Sequence, residues 1–61
     1  MRLTIKIDMD NAAFEDYAGA EVARILRRIA DQNEDTQFAA GDGFSLHDIN
    51  GNEVGTLKVT K

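Results

Sequence analysis

Residues 21–32, EVARILRRIADQ, hold the only long unbroken helical period in this chain. Val22, Ile25, Leu26 and Ile29 recur at i, i+3, i+4 and i+7, which sets four apolar side chains along one stripe of an α-helix. Such a stripe must be covered, and in a chain of 61 residues the remaining segments have to supply one apolar sheet face for it. A core of this size lies near the lower limit for independent folding. No cysteine and a single histidine, His47, are present, so neither a disulfide nor a Cys/His zinc site is available as a staple.

The segments around the helix are legible in turn. Leu3, Ile5 and Ile7 alternate with Arg2, Thr4, Lys6 and Asp8, which predicts a strand with the three aliphatic residues inward. Asp10 or Asn11 then suits the N-cap of a short helical turn running to Asp16, in which Phe14 and Tyr17 share a face. Gly19 is expected to separate that turn from the main helix, and without a proline a continuous kinked helix is also permitted. On the helix's polar face, Glu21 and Arg24 at i, i+3 and Arg27 and Asp31 at i, i+4 are expected to pair, leaving a neutralised surface. Residues 33–43, NEDTQFAAGDG, have no period, and Phe38 is the side chain expected to pin them to the core.

Asn50-Gly51 is the strongest turn signal, because the pair suits both positive-φ positions of a two-residue type I′ hairpin loop. That loop pairs Ile49 with Asn52, His47 with Val54, Leu46 with Gly55, Ser45 with Thr56 and Phe44 with Leu57. Phe44, Leu46, Gly55, Leu57 and Val59 then share the inner face, and Ser45, His47, Val54, Thr56, Lys58 and Thr60 the outer one. A three-residue loop ending at Gly51 shifts the register by one and turns Leu57 and Val59 outward, so even parity is expected. The order strand, short helix, long helix, strand, strand predicts a single domain over residues 1–61. Its class is α+β: a two-layer fold with a three-stranded sheet packed on one long helix. An antiparallel sheet in the order 1-3-2 is expected, and a parallel crossover between the first two strands is also permitted. With Leu26 in the core, Leu26→Ala is expected to cost about 2 to 5 kcal/mol.

Charge narrows the function classes. Eleven acidic residues against seven basic ones give a net charge of −4, which disfavours direct binding to nucleic acid or to an anionic membrane. No Lys or Arg occurs in residues 7–23 or 29–57, so the carboxylates gather on the connections. No apolar run approaches the roughly 20 residues of a membrane span. The N-terminus lacks the apolar centre of a signal peptide, so a soluble cytoplasmic protein is expected.

No motif points to catalysis. Asp8, Asp10 and Asn11, like Asp48, Asn50 and Asn52, lack the sixth-position Gly and twelfth-position acid of a calcium loop. Asp48 and Glu53 are expected to face each other across the hairpin end, where a close carboxylate pair can shift a pKa. Ser45 and His47 share a strand face without a third member or an oxyanion hole. The expectation is a protein that is not an enzyme, with no cofactor and no metal.

Three segments together carry a resemblance: Asp10-Asn11-Ala12-Ala13-Phe14, then Glu21-Val22-Ala23-Arg24-Ile25-Leu26-Arg27, then residues 46–55, LHDINGNEVG. In that order they are similar to a group of short proteins encoded by bacteriophages and prophages. The chain departs from that group at Tyr17-Ala18-Gly19, where members often carry a proline before the long helix. Small acidic phage proteins include anti-CRISPR inhibitors, several of which mimic DNA. The resemblance thus implies a non-catalytic inhibitor, working in the cytoplasm of an infected bacterium, that occludes the basic nucleic-acid-recognition surface of a host defence complex. Asp8, Asp10, Glu15, Asp16, Asp42, Asp48 and Glu53 are the candidate contact residues. The competing expectation is a homodimeric structural or accessory phage protein whose interface is the outer sheet face, through Val54, Ile49 and His47.

Overall fold

The alternating N-terminal segment forms the first strand, β1 (Arg2–Ile7), in a computed structural model that describes residues 1–61. A single 3-10 turn (Ala12–Phe14) follows, capped by the Asn11 side chain, whose oxygen accepts from the Ala13 N–H. The amphipathic segment forms α1 (Ala18–Asn33), and the chain closes with β2 (Gly43–His47) and β3 (Glu53–Thr60). The sheet is antiparallel throughout, in the order β1-β3-β2. The two-layer α+β arrangement expected from the sequence is therefore the one formed.

β3 is the central strand because its inner face carries apolar residues that match both neighbours. Leu57 pairs with Ile5 of β1 and with Phe44 of β2, and it is fully buried. Phe14, Ile25, Leu46, Val54 and Val59 complete the core, with Ile5, Ile7, Val22, Ile29 and Phe38 packed against it. Phe38 thus pins the long connection as expected.

The helix contributes a narrower stripe than its sequence offers. Three strands spaced about 4.8 Å apart make a sheet only about as wide as one helix, so the contact follows a single line of side chains. Val22, Ile25 and Ile29 lie on that line, whereas Leu26, one step further round, is 43% exposed. Leu26 is therefore not a core residue, and truncating it leaves no buried cavity of the kind that costs about 2 to 5 kcal/mol. Nor does Gly19 interrupt the helix. It lies in the first turn, where backbone N–H groups have no intrahelical partner in any case, and the Glu21 N–H already bonds to the Tyr17 carbonyl at 3.0 Å. Tyr17 adopts non-helical backbone angles at the N-cap, so it parts company with buried Phe14 and is exposed. Leu3, on an edge strand, is likewise largely uncovered.

The hairpin tip differs from the expected two-residue loop. The Asp48 N–H bonds to the Asn52 carbonyl at 2.9 Å and the Gly51 N–H to the Asp48 carbonyl at 3.0 Å, which leaves a three-residue loop with Gly51 at φ +86°. His47 pairs with Glu53, but the next pair is Leu46 with Gly55, so Val54 is the extra residue of a β-bulge. The bulge cancels the odd loop. Leu46, Ser45 and Phe44 therefore meet Gly55, Thr56 and Leu57 as the sequence predicts, while Val54 turns into the core and is only 5% exposed. Gly55, beside the bulge, is needed for close approach: a Cβ there would fall on the Lys6 carbonyl oxygen of β1.

Candidate functional site

Two carboxylates are buried, Glu21 at 7% and Asp48 at 4% exposure, and both serve the hairpin tip. Glu21, in the first turn of α1, receives Arg24 Nε at 2.6 Å and Arg24 Nη2 at 3.2 Å, while its Oε2 also accepts the Ile49 N–H at 2.8 Å. Arg24 Nη2 reaches on to the His47 carbonyl at 3.2 Å. Asp48 Oδ1 accepts from the Asn50 and Asn52 backbone N–H groups at 2.9 Å each. Its Oδ2 accepts from Asn11 Nδ2 at 2.7 Å and Asn52 Nδ2 at 3.2 Å.

The charges respond accordingly. The Arg24 hydrogen bond holds the Glu21 carboxyl below its ordinary value against the opposing effect of burial, with the Ile49 N–H assisting. The same contact raises Arg24. Burial pushes Asp48 up, but the hydrogen bonds from Asn52, Asn11 and Asn50 outweigh it and the carboxyl lies below its usual range. Every buried side-chain polar atom is partnered. This knot ties α1, the 3-10 turn and the hairpin tip together, and its acceptors are occupied by protein donors. It holds shape and has no free base to offer a substrate.

Asp48 is consequently not part of an acidic surface, nor does it face Glu53, which is exposed on β3. The other candidate acids are exposed but lie toward opposite ends of β3. Asp8 lies beside the start of β3, its N–H bonded to the Val54 carbonyl at 2.7 Å, and so stands near Glu53. Asp10, Glu15 and Asp16 flank the 3-10 turn, which the Asn11–Asp48 bond anchors to the same end. Asp42 belongs to the opposite end, where its carbonyl accepts the Val59 N–H and its carboxylate the Ala39 N–H, each at 2.9 Å. Glu21–Arg24 is the one ion pair in the molecule, so these exposed acids carry no paired cation. These contacts place Asp8, Glu53 and the turn that Asp10, Glu15 and Asp16 flank toward the hairpin-tip end of the sheet, with Asp42 at the other end of β3 and Asp48 buried.

Two other surfaces depart from expectation. The outer sheet face presents Thr4, Lys6, Thr56, Lys58 and Thr60. Val54 is absent from it because of the bulge, and Ile49 sits in the tip loop, so the apolar interface expected there is not assembled. On α1, Arg27 and Asp31 form no ion pair, as is common for exposed partners worth a few tenths of a kcal/mol. Arg28, also unpaired, borders a groove of about 540 Å³ between α1 and β2, floored by Ile25, Ile29, Phe44 and Leu46. The neutralised face expected for these arginines is not formed beyond Glu21–Arg24, since i, i+4 spacing gives opportunity and not occupancy.

No three His, Asp or Glu side chains gather into a group able to hold a metal ion. No helix is long and apolar enough to cross a membrane. No family model, curated protein or solved structure matches this chain.

Proposed function

We propose that this chain is a non-catalytic, phage-encoded inhibitor that docks its acidic pole on the basic nucleic-acid-recognition surface of a bacterial defence complex. The observation that carries the reading is the gathering of Asp8, Asp10, Glu15, Asp16 and Glu53 at one end with no paired cation among them. Duplex DNA offers one negative charge per roughly 1.7 Å of axis, and grooves built to hold it are lined with Lys and Arg. Charge complementarity with such a groove then supplies the attraction and the approach rate. The similarity of three ordered segments to small phage proteins supports the same class.

The test is direct. In a bacterium whose CRISPR system clears a targeted phage, expression of the chain is expected to restore plaques. The purified chain is expected to abolish the effector's mobility shift on target DNA, with potency falling steeply as salt rises. Replacing Asp8, Asp10 and Asp16 by Asn and Glu15 by Gln together is expected to remove both effects. Full potency in that variant would move the docking surface elsewhere, and no effect on DNA binding by any effector tested would overturn the reading.

A further inference from the structure

The two edges of the sheet are treated differently. Exposed edges invite pairing with another strand, and proteins guard them with charged side chains, proline or early bulges. β1 carries Arg2 and Lys6. β2, GFSLH, has no Lys, Arg, acid or proline over its whole length, and its bulge lies on β3 at the far end. Large apolar side chains are also exposed on this side, Phe44 within β2 and Ile49 at the tip.

The backbone of that edge is available. The His47 carbonyl points away from β3, since Arg24 of α1 reaches it. N–H and C=O groups of an antiparallel strand alternate in direction with each residue, so Ser45 and Gly43 also direct theirs away from β3. Directly beneath runs the groove floored by Ile25, Ile29, Phe44 and Leu46, and its far bank is the unpaired Arg28. A free hydrogen-bonding edge, an apolar floor and an unpaired guanidinium lie side by side.

We propose that β2 and this groove form a second docking site, reaching the hairpin tip beside the acidic pole, that takes an extended acidic peptide of a partner protein as a fourth strand. Backbone pairing with Ser45 holds the peptide, one alternate set of its side chains reaches the apolar floor, and a carboxylate pairs with Arg28. A second copy of this chain is the less favoured occupant. Its own β2 offers Phe44, Ser45 and Leu46 but no acid, and edge-to-edge pairing would bring a second uncompensated Arg28 into the same region.

The probe is an acetylated heptapeptide in which four threonines alternate with valine, glutamate and valine, so that the glutamate shares the valines' face toward the groove, titrated into the full chain and followed by amide NMR shifts. Shifts are expected in residues 43–49 and along residues 24–32 of α1, and not at Thr4 or Lys6. Arg28→Glu, a change at an exposed site, is expected to weaken binding about tenfold or more. Ser45→Pro removes the outward N–H on an edge strand and is expected to abolish binding. The matching peptide with lysine in place of the glutamate is expected to bind at least about tenfold more weakly. Equal affinity for the two peptides, or undiminished binding by Arg28→Glu, overturns the proposal. So do concentration-dependent shifts at residues 43–47 without peptide, which would assign the edge to a second copy.

Discussion

Asp48 directs both of its carboxylate oxygens to donors supplied by Asn11, Asn50 and Asn52. Glu21 does the same with Arg24 and Ile49. Both carboxyls are depressed below their ordinary values in the folded chain, so each favours folding above its unfolded pKa. That contribution is lost as the pH falls through the lower, folded values. Thermal melts stepped in pH are therefore expected to hold level above about pH 5 and to decline once the pH passes below about 4, the ordinary carboxyl range. Asp48→Asn sets an amide NH2 against groups that are themselves donors. This variant is expected to melt lower at neutral pH and to show a flatter acid limb, and an unchanged limb would remove Asp48 from the account. Gly55 gives a second residue-level test. The collision of a Cβ with the Lys6 carbonyl involves backbone, which yields poorly, so Gly55→Ala is expected to cost about 3 kcal/mol or more by circular-dichroism melting.

At the scale of elements, the decisive comparison is between adjacent residues of α1. Ile25 is buried against the sheet and Leu26 is not. Ile25→Ala is expected to cost about 2 to 5 kcal/mol and Leu26→Ala less than about 1 kcal/mol, measured by urea unfolding of both variants. Hydrophobic period alone marked the two as equals, because it records which side chains share a helix face and not how wide a surface will cover that face. β1, α1 and the strand order were legible for a related reason: each rests on local alternation or on the parity of a hairpin. The bulge was not legible. An odd loop with a bulge and an even loop without one give the same pairing from Leu46 back to Phe44, and only the inward turn of Val54 and Asp48 separates them. Of the candidate site, the acidic segments could be read from the absence of Lys and Arg. The inward turn of Asp48 could not, since its partner Asn11 lies 37 positions away.

The whole molecule is long and thin, with a small core under one side of a three-stranded sheet. Native-state hydrogen exchange is expected to be slowest around Leu57, in the strand paired on both sides, and fastest in residues 34–40, which precede the Gly41 and Asp42 backbone bonds to Val59 and are tied to the core mainly through Phe38. Uniform protection would show that the sheet opens only with global unfolding. Polarity is the other property at this scale, with exposed acids around the hairpin-tip end and the unguarded β2 edge along one side. The bulge at Val54 also has a kinetic meaning. Asn50-Gly51 by itself favours the tighter even turn, and the observed tip adds to its local Asp48 bonds contacts from the distant Asn11 and Glu21 side chains. Native tip geometry should therefore form after the folding barrier has been crossed. In stopped-flow experiments, Val54→Ala is expected to accelerate unfolding while leaving the refolding rate nearly unchanged, which would make the hairpin tip a reporter of the last step in the folding of this chain.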